Sequence, residues 1–194
     1  MILQMNTEKK GSKLAIGFII AAVASRLVPH LPNFTAMESI ALFAGAYLGW
    51  KALATLLPIL TWYASDLLIN NTVSRVWYPE VEGIVWFTND MLWVYISAII
   101  MIFIGAKALK KWNPAKLAIS AVSASLLFFV VTNFGTWMSG TMYPMNGAGL
   151  LSCFTAALPF LKSSLMSNLA FTAVLFGGYE LVHYYAYESR AQLA

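Results

Sequence analysis

The chain has 194 residues, 60% of them hydrophobic and only 10% charged, with a formal net charge of +4. A water-soluble domain carries about 25% charged residues, so this composition, with a mean hydropathy of +0.71, excludes an ordinary soluble fold. It reads instead as one all-α, multi-pass membrane domain over residues 1–194.

Residues 1–12 are polar and basic and read as a cytoplasmic tail. The first span, about 13–28, ends in Ser25-Arg26-Leu27 rather than a small-x-small cleavage site, so it reads as a retained helix. Gly17, Ala21 and Ser25 recur every four residues along it. They form a smooth stripe along which another helix can approach closely, within the bundle or from a separate subunit. The ten residues RLVPHLPNFT (26–35) follow, with Pro29 and Pro32 fixing the path of a loop.

The second span, 38–50, is short, since crossing roughly 30 Å of hydrocarbon takes roughly 20 residues; it fits a helix tilted inside the bundle. The third runs over 52–69 with a kink expected at Pro58, the fourth over 84–106, the fifth over 116–134 and the last over 165–185. Between the fifth and the last, residues 149–161 are apolar but short and stop at Pro159 and Lys162. They are expected to form a separate re-entrant or interfacial helix.

Placing the N-terminus in the cytoplasm puts Lys9, Lys10, Lys13, Lys51, Lys107, Lys110, Lys111, Lys116 and Arg190 inside, and only Arg26, Arg75 and Lys162 outside. That bias predicts a six-helix membrane bundle with both termini cytoplasmic. Lysines beside apolar segments are topology signals, so no nucleic-acid partner is expected; the lipid bilayer is.

With this topology three outer segments converge: residues 26–35, 70–83 and 133–149. They are rich in amides, aromatics, proline and glycine. The candidate substrate-binding residues are His30, Asn33, Asp66, Tyr78, Asn89, Asp90, Trp93, Asn133, Trp137, Tyr143 and Asn146. Aromatic rings there either form an interfacial belt or stack on a flat ligand, with the amides supplying hydrogen bonds. Asn89 and Trp93 stand four apart, so one ligand could meet both. Charges near hydrocarbon are costly unless paired or functional, and Arg26 is expected to pair with Asp66 or Asp90. Acids outnumber bases at this mouth, which favours a neutral or cationic ligand.

Other groupings are weaker. Glu180 and His183, three apart on the last span, read as a local hydrogen-bonded pair, with proton sharing or metal binding as the alternative. Met138, Met142 and Met145 are either filler or soft-metal ligands. Cys153, the single cysteine, excludes an intrachain disulfide and reads as a buried small hydrophobe. No HExxH, GxSxG, phosphate-cradling glycine loop or intramembrane aspartate pair occurs. The chain therefore reads as a non-enzyme with no catalytic residue, no metal site and no cofactor.

The segments SRLVPHLPNFT, ALFAGAYLG, LLFFVVTNFGTWMSG, MYP, ALPF and FTAVLFGG resemble a family of uncharacterised bacterial membrane proteins over nearly the whole chain. The six-span plan, the small-residue stripe and the stretch AALPFLKSSLMSNLAFTAVLF are similar to the substrate-binding S components of energy-coupling factor (ECF) vitamin transporters. That resemblance implies capture of a small vitamin-like molecule from outside. It also implies docking through the first helix onto a transmembrane coupling subunit driven by two ATPases. Some S-component-like proteins bind cobalamin through a third-loop cysteine; residues 70–83 have none, leaving His30 or Cys153 as substitutes. The alternative function is a non-transporting accessory or assembly subunit of a membrane complex. Ala21→Leu separates the uses of the stripe: loss of transport or subunit assembly is expected, and unchanged transport and assembly would make the spacing coincidental.

Overall fold

The computed structural model describes residues 2–27, 33–76 and 78–188. Every regular element among them is helical. Six α-helices run in alternating directions: α1 Ile2–Ala24, α2 Met37–Leu48, α3 Ala52–Asn71, α4 Asn89–Ala108, α5 Pro114–Met138 and α6 Gly147–His183. Short 3-10 turns follow α1 (Ser25–Leu27) and α3 (Val73–Val76), and a π-helical turn, Tyr184–Glu188, ends α6.

Three helices are long and apolar enough to cross a membrane: Asn89–Ala108, Pro114–Met138 and Gly147–Ala186. Their outward faces carry large apolar side chains, among them Ile96, Ile99 and Phe103 on α4 and Ile119, Leu126 and Val130 on α5. So does α3, through Leu53, Leu56 and Leu60. An apolar surface of this extent suits lipid and not water.

The short α2 is the centre of the bundle. It packs against all five other α-helices, and its residues from Met37 to Gly45 are all buried. The contact with α4 is the tightest. A Cβ at Gly45 would lie 2.0 Å from the Ile102 carbonyl oxygen, and one at Gly105 would lie 2.2 Å from that of Leu42. The two backbones therefore touch, which only glycine permits. Around this contact Phe43 packs edge-on against Phe176 and Tyr179 at 5.3 and 5.4 Å.

Local chemistry explains most helix ends. Pro114 opens α5 behind Asn113, whose side chain accepts from Lys116 N at 2.9 Å. The fourth helix begins at Asn89 and not near Ile84, because Thr88 holds the extended backbone of an N-cap (φ −122°, ψ 151°) with Asp90 in the first turn. The first helix begins at Ile2 and not near Lys13; Leu3, Gln4, Met5, Glu8, Lys9 and Lys10 are good helix formers whatever their polarity. Gly49 ends α2 at φ 72°.

The expected separate helix over 149–161 does not occur. Residues 147–183 form one helix with Pro159 inside it. A proline removes a single backbone donor, and the residues from Leu161 to Leu165 offer no second breaker. Ser164, which would have to serve a turn or cap, turns its hydroxyl to Glu38 instead. At 1.5 Å per residue the 37-residue helix is about 55 Å long, well beyond the roughly 30 Å hydrocarbon core.

Gly45→Leu or Gly105→Leu should force α2 and α4 apart, costing at least about 1–3 kcal/mol. A clear fall in melting temperature in detergent is the readout. Gly17→Leu, at a position with no atom within 4 Å of the added Cβ, should melt like the parent chain.

Candidate functional site

The ends of the bundle differ in charge. One end carries the C-terminal ends of α1, α3 and α5 and the N-terminal ends of α2, α4 and α6, with Arg26, Glu38, Asp66 and Asp90 near it. The opposite end carries Lys51, Lys107, Lys110, Lys111 and Lys116.

At the acidic end a cavity of about 790 Å³ opens between α2, α3, α4 and the start of the chain following residue 32. Asn33, Glu38, Asp66, Asn70 and Asp90 supply its polar lining, with Met37, Met91, Val94 and Phe128 among the apolar walls. A smaller recess of about 230 Å³ adjoins it, sharing Asn33, Asp90, Val94 and Phe128 and adding Asn133 and Ser164.

One wall is an ion pair. Arg26 donates to Asp66 Oδ1 at 2.7 Å and to Ser65 Oγ at 2.5 Å, and Tyr95 Oη donates to Asp66 Oδ2 at 2.8 Å. Both charged side chains are little exposed, at 12% and 13%. This is the structural pairing expected for Arg26, with Asp66 chosen over Asp90. It ties the ends of α1, α3 and α4 together.

Glu38 occupies the boundary between the two recesses. It lies in the first turn of the central helix and is 5% exposed. Its Oε2 accepts from Ser125 Oγ on α5 at 2.5 Å, and its Oε1 accepts from Ser164 Oγ on α6. The network continues downward. Asn168 Nδ2 donates to Ala121 O at 2.7 Å and to Ser125 Oγ at 3.1 Å, and Thr172 Oγ1 donates to Asn168 Oδ1 at 3.1 Å. Ser167 Oγ donates to the Asn33 carbonyl at 3.3 Å, linking α6 to the cavity rim. Asn33 itself has φ 56°, a conformation asparagine tolerates better than most residues.

Of the residues expected at the mouth, Asn33, Asp66 and Asp90 line the cavity, and Asn133 lines the smaller recess while donating to Phe129 O at 2.7 Å. Others serve the fold. Neither Asn89 nor Trp93 lines a recess: Trp93 packs on α5 over Gly135, with its ring 5.8 Å from Phe134, and Asn89 is exposed at the start of α4. Trp137 Nε1 donates to Pro144 O at 3.1 Å and braces the α5–α6 loop. Asn146 caps α6, accepting from Gly149 N at 2.9 Å. Tyr143 is half-buried outside both recesses, and Tyr78 is exposed. His30 lies outside the described residues.

The remaining expectations also find places. Gly17 and Ala21 are exposed on α1, whereas Ser25 is half-buried and donates to Ala22 O at 2.6 Å. Glu180 accepts from Tyr47 Oη at 2.6 Å, and His183 stacks on Tyr179 at 5.6 Å. Cys153 is buried with Sγ 3.4 Å from the Asn133 carbonyl. Met142 and Met145 are exposed in the α5–α6 connection. Among the described residues no three His, Cys, Asp or Glu side chains converge as for a metal ion.

Sequence reasoning missed the Glu38 network. It left a trace: Ser164, Asn168 and Thr172 recur every four residues, a polar stripe on one face of an apolar helix. Such a stripe needs a polar partner inside the bundle.

Residues 6–191 match DUF6580, a family of unknown function. The chain belongs to that family. No curated protein and no solved structure matches it.

The Arg26–Asp66 pair should behave as a unit. Arg26→Ala or Asp66→Ala alone is expected to cost on the order of 3 kcal/mol by stranding a nearly buried charge. The double replacement should cost distinctly less than the sum, as measured by thermal or denaturant unfolding in detergent.

Proposed function

We propose that the chain is an S-component-like subunit of a bacterial inner-membrane transporter, with both termini cytoplasmic. Its acidic-end cavity captures a small, vitamin-like molecule from the outer side for uptake. The observation that carries this reading is the cavity itself: about 790 Å³, at the end assigned to the outside by lysine placement, with polar side chains from α2, α3 and α4 around one space. Ligand pockets of drug-sized molecules have about 300–1,000 Å³ and combine apolar walls with a few placed polar groups.

The lining chooses among ligands. Arg26 is already neutralised by Asp66, so the exposed Asp90 leaves the cavity acidic. A cationic or neutral hydrogen-bond donor suits it and an anion does not. A compact ring-bearing molecule suits the volume; a corrinoid such as cobalamin is too bulky to be enclosed by it. The exposed face of α1 at Gly17 and Ala21 is free for a transmembrane coupling subunit with its ATPases.

The test uses full-length protein incubated with a small-molecule extract of its host cells and read by native mass spectrometry. The parent chain should enrich a discrete mass. Asp90→Asn and Asn33→Gly, the latter keeping the positive φ, should reduce retention about tenfold with unchanged melting temperature. No enriched mass, or equal retention by all three chains, would sink the reading. A stoichiometric protein partner without any small molecule would establish the accessory role instead.

A further inference from the structure

The lysine-rich end holds a second cavity, about 840 Å³, between the C-terminal ends of α2 and α4, the start of α3, and residues of α1 and α6. Its charged lining is Lys51, Lys107 and Lys110. Among the described residues that line it there is no carboxylate. Glu180, nearby on α6, accepts from Tyr47 Oη and is not part of the lining. Three ammonium groups around one space repel each other until an anion enters.

The lysines come from different elements and are placed by the fold. Lys51 is the N-cap of α3 in extended backbone (φ −132°, ψ 161°), so the unpaired first-turn amides of that helix start at the same cavity. Lys107 lies in the last turn of α4 and Lys110 in the turn that follows it, and Lys107 Nζ stands 5.5 Å over the Phe103 ring. The back wall is fixed: Trp112 Nε1 donates to Tyr47 Oη at 3.1 Å, and Tyr179 Oη donates to Gly11 O at 3.2 Å. Trp50, half exposed, lines the cavity and meets the outward-facing Phe103 ring edge-on at 5.3 Å.

We infer that this cavity binds a phosphate-bearing anion. Two sources share that chemistry: the headgroup of an anionic phospholipid, which basic recesses at the ends of membrane helices suit, and a soluble phosphate ester. The aromatic edge favours the lipid, whose glycerol and upper chains would lie against Trp50 and Phe103.

The experiment compares retention of phosphatidylglycerol and phosphatidylcholine by the detergent-purified full chain in native mass spectrometry. A parallel arm titrates inorganic phosphate and follows the melting temperature. The parent chain should retain phosphatidylglycerol over phosphatidylcholine by about tenfold. Lys51→Gln/Lys107→Gln/Lys110→Gln should lose that preference. Lys111→Gln/Lys116→Gln, which removes two exposed lysines of the same end outside the cavity, should keep it. If the triple variant does not fold, Lys110→Gln alone should show a partial loss. Lysine-dependent stabilisation by phosphate without a lipid preference would assign the soluble source to the same site. The inference is overturned if neither probe separates the cavity variants from the parent chain, or if the control pair loses binding equally.

Discussion

The backbone contacts of Gly45 with Ile102 and of Gly105 with Leu42 set the rest of the molecule. Because nothing but hydrogen separates α2 from α4 there, the shortest α-helix becomes the axis around which the other five assemble. A helix of 12 residues spans about 18 Å. It therefore leaves space beyond each of its ends, and a cavity lies at each, one beside Glu38 and the other beside Leu48.

Burying α2 completely also buries its one charged residue. A carboxylate removed from water needs several hydrogen bonds or a countercharge. Glu38 is held by hydroxyls from α5 and α6 and by no cation. Those hydroxyls belong to a chain of hydrogen bonds that reaches Asn168 and Thr172, so the polar network fixes the register of α5 against α6. The same serines that specify the packing thus hold the carboxylate at the boundary of the recesses. Asp66 contributes differently, since Arg26 and Tyr95 occupy its two oxygens. Both of these acids therefore brace helices, and Asp90, exposed at the start of α4, is the remaining acid among the described residues that line the cavity.

Much of this was legible in the sequence, for identifiable reasons. Six helices followed from the apolar runs, and the pairing of Arg26 with a nearby aspartate from the cost of unpaired charge near hydrocarbon. The short second span was recognised as anomalous, but its central position depends on close approach at Gly45 and Gly105, residues sixty positions apart. Continuity through Pro159 was misread because a local breaker signal was weighed without the tertiary contacts that hold both halves straight. Cys153 contacts α5 on one side of the proline and Asn168 contacts it on the other. At the mouth, residue type alone could not tell a ligand-facing amide from a capping one. Asn33 and Asn146 look alike in sequence, yet one lines the cavity and the other caps α6.

The most direct measurement is an experimental structure of the full chain purified from cell membranes into lipid nanodiscs without added ligand. Compact non-protein density above Glu38, within hydrogen-bonding reach of Asp90 and Asn33, is the predicted result. A cavity closed by side chains, or one filled only by acyl chains entering from the bilayer, would contradict the assignment of this end as a small-molecule site.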